Sequence, residues 1–179
     1  AYLRNDALVE TAFPYLLEAS KRTDETVNLT KLDDTEVIYV SRLPSRNGVS
    51  VDIVLGQRLP AFCTAPGRAM LAGLPEERAA VLLARSDRAP RTRFTKTDPS
   101  EIDAELTRIR ACGYAVCAQE AFVGDLSVAA AVKDHTGNVV AAVNIAVQHP
   151  RWSSDAAEAT LAPVVLETAR AISKALGGR

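Results

Sequence analysis

Hydrophobic positions follow a helical period at the start of the chain and a two-residue period soon afterwards. Apolar side chains in residues 3–21 recur at helical spacing, but Pro14 lacks the amide hydrogen that the helical ladder needs, which predicts a broken or kinked helix. Residues 26–39 alternate apolar and polar side chains around a polar turn, which is typical of a β-hairpin. Residues 50–55 are a third strand candidate.

The middle of the chain favours helices. Residues 68–72 and 75–85 predict two short helices, and the polar loop 86–97 separates them from a third. The third helix is predicted to begin after Asp98, a residue type that caps helix N-termini, and to end at Gly113, a residue type that ends helices. Its apolar stripe indicates that one face packs against the core.

The C-terminal part combines strands with a long helix. Residues 114–120, 126–133 and 139–147 are strand-like runs rich in valine and alanine, and the turn between the last two predicts an antiparallel hairpin. Residues 155–176 then return to helical spacing. Two groups of three strands separated by helices predict an α+β fold, with an antiparallel sheet of about six strands and flanking helices.

Composition limits the kind of protein. A chain of 179 residues, of which 47% are hydrophobic, can bury one substantial core, so we expect a single soluble domain. With 21 Lys and Arg against 22 Asp and Glu, the chain has no positive field that would attract a nucleic acid. No apolar run approaches the roughly 20 residues of a membrane span, and residues 1–10 lack the apolar core of a signal peptide, so we expect a cytoplasmic protein without a membrane partner.

The cysteines and histidines predict neither a disulfide framework nor a metal site. Cys63, Cys112 and Cys117 are odd in number and sparse, which suits a reducing compartment. His135 and His149 do not add the closely spaced ligand pairs of structural zinc sites. We therefore expect no metal and no cofactor.

Cys63 stands just before a predicted helix, in the stretch LPAFCTAPGRAMLA of residues 59–72. The positive end of a helix would lower the pKa of a thiol and favour a nucleophile. A nucleophile also needs a base, and the sequence places neither histidine beside Cys63. The pattern therefore favours a thiol that is buried or lies in a pocket wall, and a thiol enzyme remains the alternative.

The corner at residues 64–67 is a candidate binding element. The backbone amides that follow it open a helix without intrahelical partners, so they could hold a carboxylate. An ordinary turn from strand to helix, with Pro66 and Gly67 chosen for their backbone conformation, is the alternative explanation.

Some polar residues interrupt apolar strands. Ser127 and Asn144 would be buried there, and a buried amide needs a partner, which could be a ligand or a neighbouring backbone group. Glu120 ends a predicted strand, and its carboxylate is either a solvated charge at the edge of the sheet or a hydrogen-bond acceptor that points inward. The scattered arginines are expected to form a solvated rim: Arg42, Arg46 and Arg58.

Residues 59–72 and 113–134 carry a resemblance to a known family. The first segment is similar to the lPa..Ta.Gka.LA stretch in the C-terminal effector-binding domain of IclR-type bacterial transcription regulators. The second resembles the family signature, from which it departs only where Cys117 replaces the usual Asp or Ser and Lys133 replaces an aromatic residue or His. The matching positions are Gly113, Glu120, Ser127, Val128, Ala129, Val132 and Asp134.

The resemblance implies a GAF/profilin-like fold over residues 1–179, whose concave face binds a small organic acid. Residues 1–22 would be its N-terminal helical segment. The ligand-binding positions implied by the resemblance are Thr64, Ala65, Pro66, Gly67, Met70, Cys117, Asp125, Ser127, Asn144 and Ala146. Arg68, where many members have Lys, together with the stretch GQRLP, resembles the branch that senses aromatic-acid catabolites.

The resemblance also implies what the domain does. It would perform no catalysis, would assemble as a homodimer or homotetramer, and would control DNA only through a winged helix-turn-helix domain that is absent from residues 1–179. The alternative is a thiol-dependent hydrolase or transferase that uses Cys63 or Cys117.

Overall fold

The computed structural model describes residues 2–47 and 51–177, with side chains from residue 7 onward. Five helices and six strands occur there in the order α1 (Tyr2–Thr23), β1 (Thr26–Asp33), β2 (Glu36–Leu43), β3 (Arg58–Pro60), α2 (Ala65–Gly73), α3 (Glu76–Arg85), α4 (Pro99–Cys112), β4 (Ala115–Ala118), β5 (Asp125–Lys133), β6 (Val139–Gln148) and α5 (Ser154–Ala175). All strands join one antiparallel sheet in the order β3-β2-β1-β6-β5-β4.

Several local predictions are confirmed. The first hairpin is β1 and β2, and the last is β5 and β6. Asp98 caps α4 by accepting a hydrogen bond from the Ser100 amide, and Gly113 ends that helix with a left-handed φ of 88°. The α+β fold class and the count of about six strands are confirmed with them.

Two local predictions are wrong. Residues 51–54 form no strand, and the third strand is Arg58–Pro60, because the chain turns at Gly56 and pairs with β2 only afterwards. Residue 50 of the predicted strand lies outside the described residues. The first helix is not broken, because α1 is continuous through Pro14, which is exposed. The packing of its buried side chains against the sheet and α5 stabilises the helix by more than the loss of one backbone hydrogen bond at Pro14 destabilises it. These side chains are Leu8, Ala12, Leu16 and Ala19.

The two faces of the sheet are different. Helices α1 and α5 cover one face with an apolar core that includes Val27, Leu29, Val143 and Ile145. Helix α2 covers the other face, with α3 and α4 packed beyond it. Because neighbouring side chains in a strand point to opposite faces, the residues between those apolar positions point toward α2. Among the described residues, no helix is long and apolar enough to cross a bilayer.

Candidate functional site

A narrow cavity lies between the sheet and the N-terminal end of α2. Its free volume is about 30 Å³, which is room for one or two water molecules; the total space between its lining atoms, including the part that is open to solvent, is about 520 Å³. The strands β1, β2, β4, β5 and β6 and the start of α2 all contribute to its wall. Both charged and uncharged polar side chains line it, in addition to apolar ones.

The floor of the cavity consists of alternate strand residues. On β1, Thr26 and Asn28 face the cavity, whereas Val27 and Leu29 belong to the opposite apolar core. Asn28 pairs directly with Asn144 of β6, so two amide side chains lie side by side. The Asn144 Nδ2 donates a hydrogen bond of 3.0 Å to the Ser127 Oγ. The Oδ1 atoms of Asn28 and Asn144 are buried and accept no hydrogen bond.

Arg42 and Asp125 add opposite charges to the cavity. Arg42 pairs with Asn28 across β1 and β2, and its Nη2 donates to the Val51 carbonyl at 2.8 Å. Burial raises the pKa of the Asp125 carboxyl from 3.8 to about 6, against an opposing effect of the Arg42 charge. The cavity therefore contains a cation and an acid that titrates just below neutral pH.

Arg68 and Glu120 form a buried ion pair, and Glu120 lines the cavity. The Arg68 Nη1 and Nη2 atoms each donate to one oxygen of the Glu120 carboxylate, both at 2.7 Å. The Arg68 Nε donates to the Phe62 carbonyl at 2.7 Å, and the Lys96 amide donates to the Glu120 Oε1 at 2.9 Å. Glu120 is therefore an inward acceptor, and its charge is matched by Arg68.

The two thiols in the cavity wall are poor nucleophiles. Burial raises the pKa of Cys63 to about 11 and that of Cys117 to about 12, so both thiols are protonated at neutral pH. Neither His135 nor His149 lines this cavity. Within the described part of the chain, no three His, Cys, Asp or Glu side chains come together as a metal site. The arrangement favours the interpretation of Cys63 as a wall residue.

The structure brings together most of the residues that the sequence analysis singled out. The following line the cavity: Thr64, Ala65, Pro66, Cys117, Asp125, Ser127, Asn144 and Ala146. Gly67 and Met70 do not line it. Gly67 packs so tightly against Ala61 that a Cβ atom would lie 2.3 Å from the Ala61 oxygen, and the Met70 side chain is fully buried in the apolar cluster around α2.

Part of the site lies outside the residues predicted from the sequence. Arg42 was expected on a solvated rim, but it lines the cavity because its register places it beside Asn28. Arg46 and Arg58 are exposed, as predicted. Asn28 and Thr26 were also missed, although their alternation with Val27 and Leu29 is visible in the sequence. That alternation shows which residues share a face, but it does not show that the face encloses a cavity.

Comparisons with known proteins agree with this architecture. The family described as "Bacterial transcriptional regulator IclR C-terminal" matches residues 1–174. The Pca regulon regulatory protein of Pseudomonas putida is 33% identical over 179 residues, which cover 99% of this chain and 62% of that protein. This chain thus spans less than two thirds of that regulator.

Solved structures give the same result. The IclR protein of Thermotoga maritima superposes with a TM-score of 0.89 and 31% identity, over 95% of this chain and 68% of that one. The inducer-binding domain of a PobR double mutant from Acinetobacter, solved as a complex with 3-hydroxybenzoic acid, gives a TM-score of 0.81 and 25% identity, over 90% of this chain and 94% of that one. This chain therefore belongs to the IclR family of bacterial transcriptional regulators and matches its C-terminal domain.

Proposed function

We propose that this chain is the ligand-sensing domain of a transcription regulator and that the cavity beneath α2 binds a small carboxylic acid. The observation that carries the proposal is the cavity's combination of one arginine, the start of a helix and buried amide oxygens without partners. The PobR domain, to which this chain is similar, was solved with an aromatic hydroxy acid. An aromatic acid is therefore the first ligand to test.

The geometry offers a carboxylate two partners. Arg42 supplies a positive charge. The first turn of α2 would supply the amides of Ala65 and Gly67, because Thr64 makes no side-chain hydrogen bond to them, Pro66 has no N–H, and the Arg68 amide already donates to the Thr64 carbonyl. The Thr64 hydroxyl instead donates to the Pro60 carbonyl at 2.9 Å, so the helix amides rather than that hydroxyl would meet the ligand.

The rest of the regulator would respond to binding of the acid. We propose that a winged helix-turn-helix domain outside residues 1–179 contacts DNA in the cytoplasm, and that the acid changes the arrangement of a homodimer or homotetramer. Light scattering of the purified chain with and without ligand measures the assembly. Catalysis plays no part in this proposal, because the thiols of the cavity are protonated and the matched relative is a regulator.

Thermal unfolding in the presence of small acids tests the proposal. Benzoates, hydroxybenzoates, pyruvate, glyoxylate and β-ketoadipate form the screen. A ligand at 100 times its Kd adds about 2.7 kcal/mol to the free energy of unfolding, which for a chain of this size raises Tm by roughly 5–10 °C. Calorimetric titration then gives the Kd of each acid that raises Tm.

Two arginine variants give the matched comparison. Arg42→Gln is expected to weaken the best acid about 10- to 100-fold, because it removes a hydrogen bond from a charged donor. Arg46→Gln, which changes an exposed arginine nearby, is expected to leave the Kd unchanged. If the unaltered chain and both variants bind the acid with equal affinity, the cavity is not the binding site. If no acid binds, the proposal itself is refuted.

A further inference from the structure

The paired amide side chains on the cavity floor carry an inference about which acids the site prefers. Asn28 is 1% exposed and Asn144 is 2% exposed, and both line the cavity. The two residues are direct neighbours on β1 and β6, and neither Oδ1 atom has a hydrogen-bond partner. Two buried oxygens without a hydrogen-bond donor thus lie side by side in the cavity wall.

A buried acceptor without a partner costs about 1–3 kcal/mol. The nearby side chains do not remove this cost. The Ser127 hydroxyl oxygen accepts the Asn144 amide hydrogen, and Asp125 contributes a further acceptor to the same cavity. A bound molecule that brings its own hydrogen-bond donor would satisfy the two oxygens.

The charges of the cavity fix how such a molecule would lie. Arg42, Asn28 and Asn144 occupy consecutive positions in one row across β2, β1 and β6. A carboxylate at Arg42 and the start of α2 would leave the other end of the ligand at the two amide oxygens. A second carboxylate there would face the Asp125 carboxyl and, in the orientation that the two amides adopt, their unpartnered oxygens, and would be disfavoured.

We propose that Asn28 and Asn144 are specificity-determining residues that select an acid with one carboxylate and a separate hydroxyl or N–H donor, and that they disfavour dicarboxylic acids. The inference rests on the proposed acid-binding function. It adds the chemical class of the group at the far end of the ligand.

Matched ligand series test the inference on the unaltered chain. Calorimetric titration compares 3-hydroxybenzoate with benzoate and isophthalate, and lactate with propionate and malonate. In at least one series, the hydroxy acid is expected to bind 10-fold or more tightly than both the unsubstituted acid and the dicarboxylate, because only it donates a hydrogen bond to the floor.

Three variants assign the preference to the amides. In Asn28→Leu and in Asn144→Leu, the preference for the hydroxy acid over the unsubstituted acid is expected to fall below threefold. Thr30→Val is the matched control, because Thr30 is also buried on β1 with an unpartnered hydroxyl but does not line the cavity. This control is expected to keep the full preference.

The outcomes separate the inference from the function on which it rests. If acids bind but the unsubstituted acid or the dicarboxylate equals the hydroxy acid within threefold, the donor preference is wrong and the acid-sensing function stands. If Thr30→Val loses the preference as fully as the asparagine variants do, the floor amides do not determine it. If no acid binds at all, both proposals are overturned.

Discussion

Arg68 and Glu120 place two full charges inside the protein, where the cost of removing them from water is several kcal/mol for each ion. The Arg68 side chain is completely buried and the Glu120 side chain is 5% exposed. Parallel hydrogen bonds from one guanidinium to one carboxylate compensate much of that cost. Each charge is therefore tolerated only while the other is present.

Removing one member of this pair is expected to be far worse than removing both. Glu120→Leu should lower the free energy of unfolding by about 3–5 kcal/mol, because it leaves Arg68 charged and buried without its carboxylate. The double variant Arg68→Met with Glu120→Leu should lower the free energy of unfolding by clearly less than Glu120→Leu alone. Urea denaturation measures both values.

An exposed ion pair provides the control for that cycle. Arg58→Met breaks a 2.7 Å contact with Asp33 in which both side chains are about half exposed, so a loss of about 1 kcal/mol or less is expected. A loss as small as this in Glu120→Leu would contradict the account of the buried pair.

The raised pKa of Asp125 predicts a pH-dependent stability. Because the folded-state pKa of about 6 exceeds the ordinary value of 3.8, the folded protein binds more protons than the unfolded chain between these values. Asp125 therefore makes the protein less stable as pH rises from about 4 to about 6, and the loss is constant above that range. Asp125→Asn removes this contribution.

The variant is accordingly expected to be more stable than the unaltered chain by about 1–3 kcal/mol at pH 7.5, with the difference disappearing near pH 4. Urea denaturation of both proteins across this pH range measures the difference, and other titrating groups cancel in it. A stability difference that stays constant with pH would show that Asp125 ionises as it does in water.

At the scale of elements, Gly67 determines how α2 meets the segment that precedes it. A Cβ atom at this position would lie 2.3 Å from the Ala61 oxygen and 2.4 Å from the Ala61 Cα, both of which are backbone atoms. The close approach holds the first turn of α2, and with it Thr64 to Pro66, at the cavity.

Gly67→Ala is therefore expected to destabilise the protein by about 2 kcal/mol or more, despite the higher helix propensity of alanine. Gly73→Ala in the same helix is the comparison, because its Cβ would meet the side-chain atom Cγ2 of Val139 at 2.5 Å rather than backbone. We expect the second variant to lose less than Gly67→Ala does, because only the Val139 side chain must move, as measured by urea denaturation. Equal losses would mean that the contact with Ala61 relaxes easily.

Elements with local signals were predictable from the sequence, and those that depend on distant partners were not. Asp98 and Gly113 define the ends of α4 through contacts within a few residues of themselves. Strand β3 depends on pairing with Glu36 to Ile38, which no pattern near residue 58 encodes. The continuity of α1 also depends on residues distant in the sequence, because packing on the sheet and α5 outweighs the destabilising effect of Pro14.

At the scale of the whole molecule, the alternating strands predicted a two-faced sheet, and the family resemblance directed attention to one of its faces. The cavity itself could not be predicted in the same way. It exists because α2, held by Gly67 and Met70, covers a polar strip of β1, β5 and β6 and leaves a small space beside it. Arg42 enters that strip through strand register, which a single sequence does not show.

The alternation along β1, β5 and β6 also bears on how such domains diverge. At one end of these strands alternate side chains line the cavity, among them Asn28, Ser127 and Asn144, and the immediate neighbours of these three belong to the apolar layer under α1 and α5. Substitutions at the polar positions can accumulate while the neighbouring core stays intact. One inherited backbone can therefore acquire new chemical preferences through a few exchanges, without an intermediate that fails to fold.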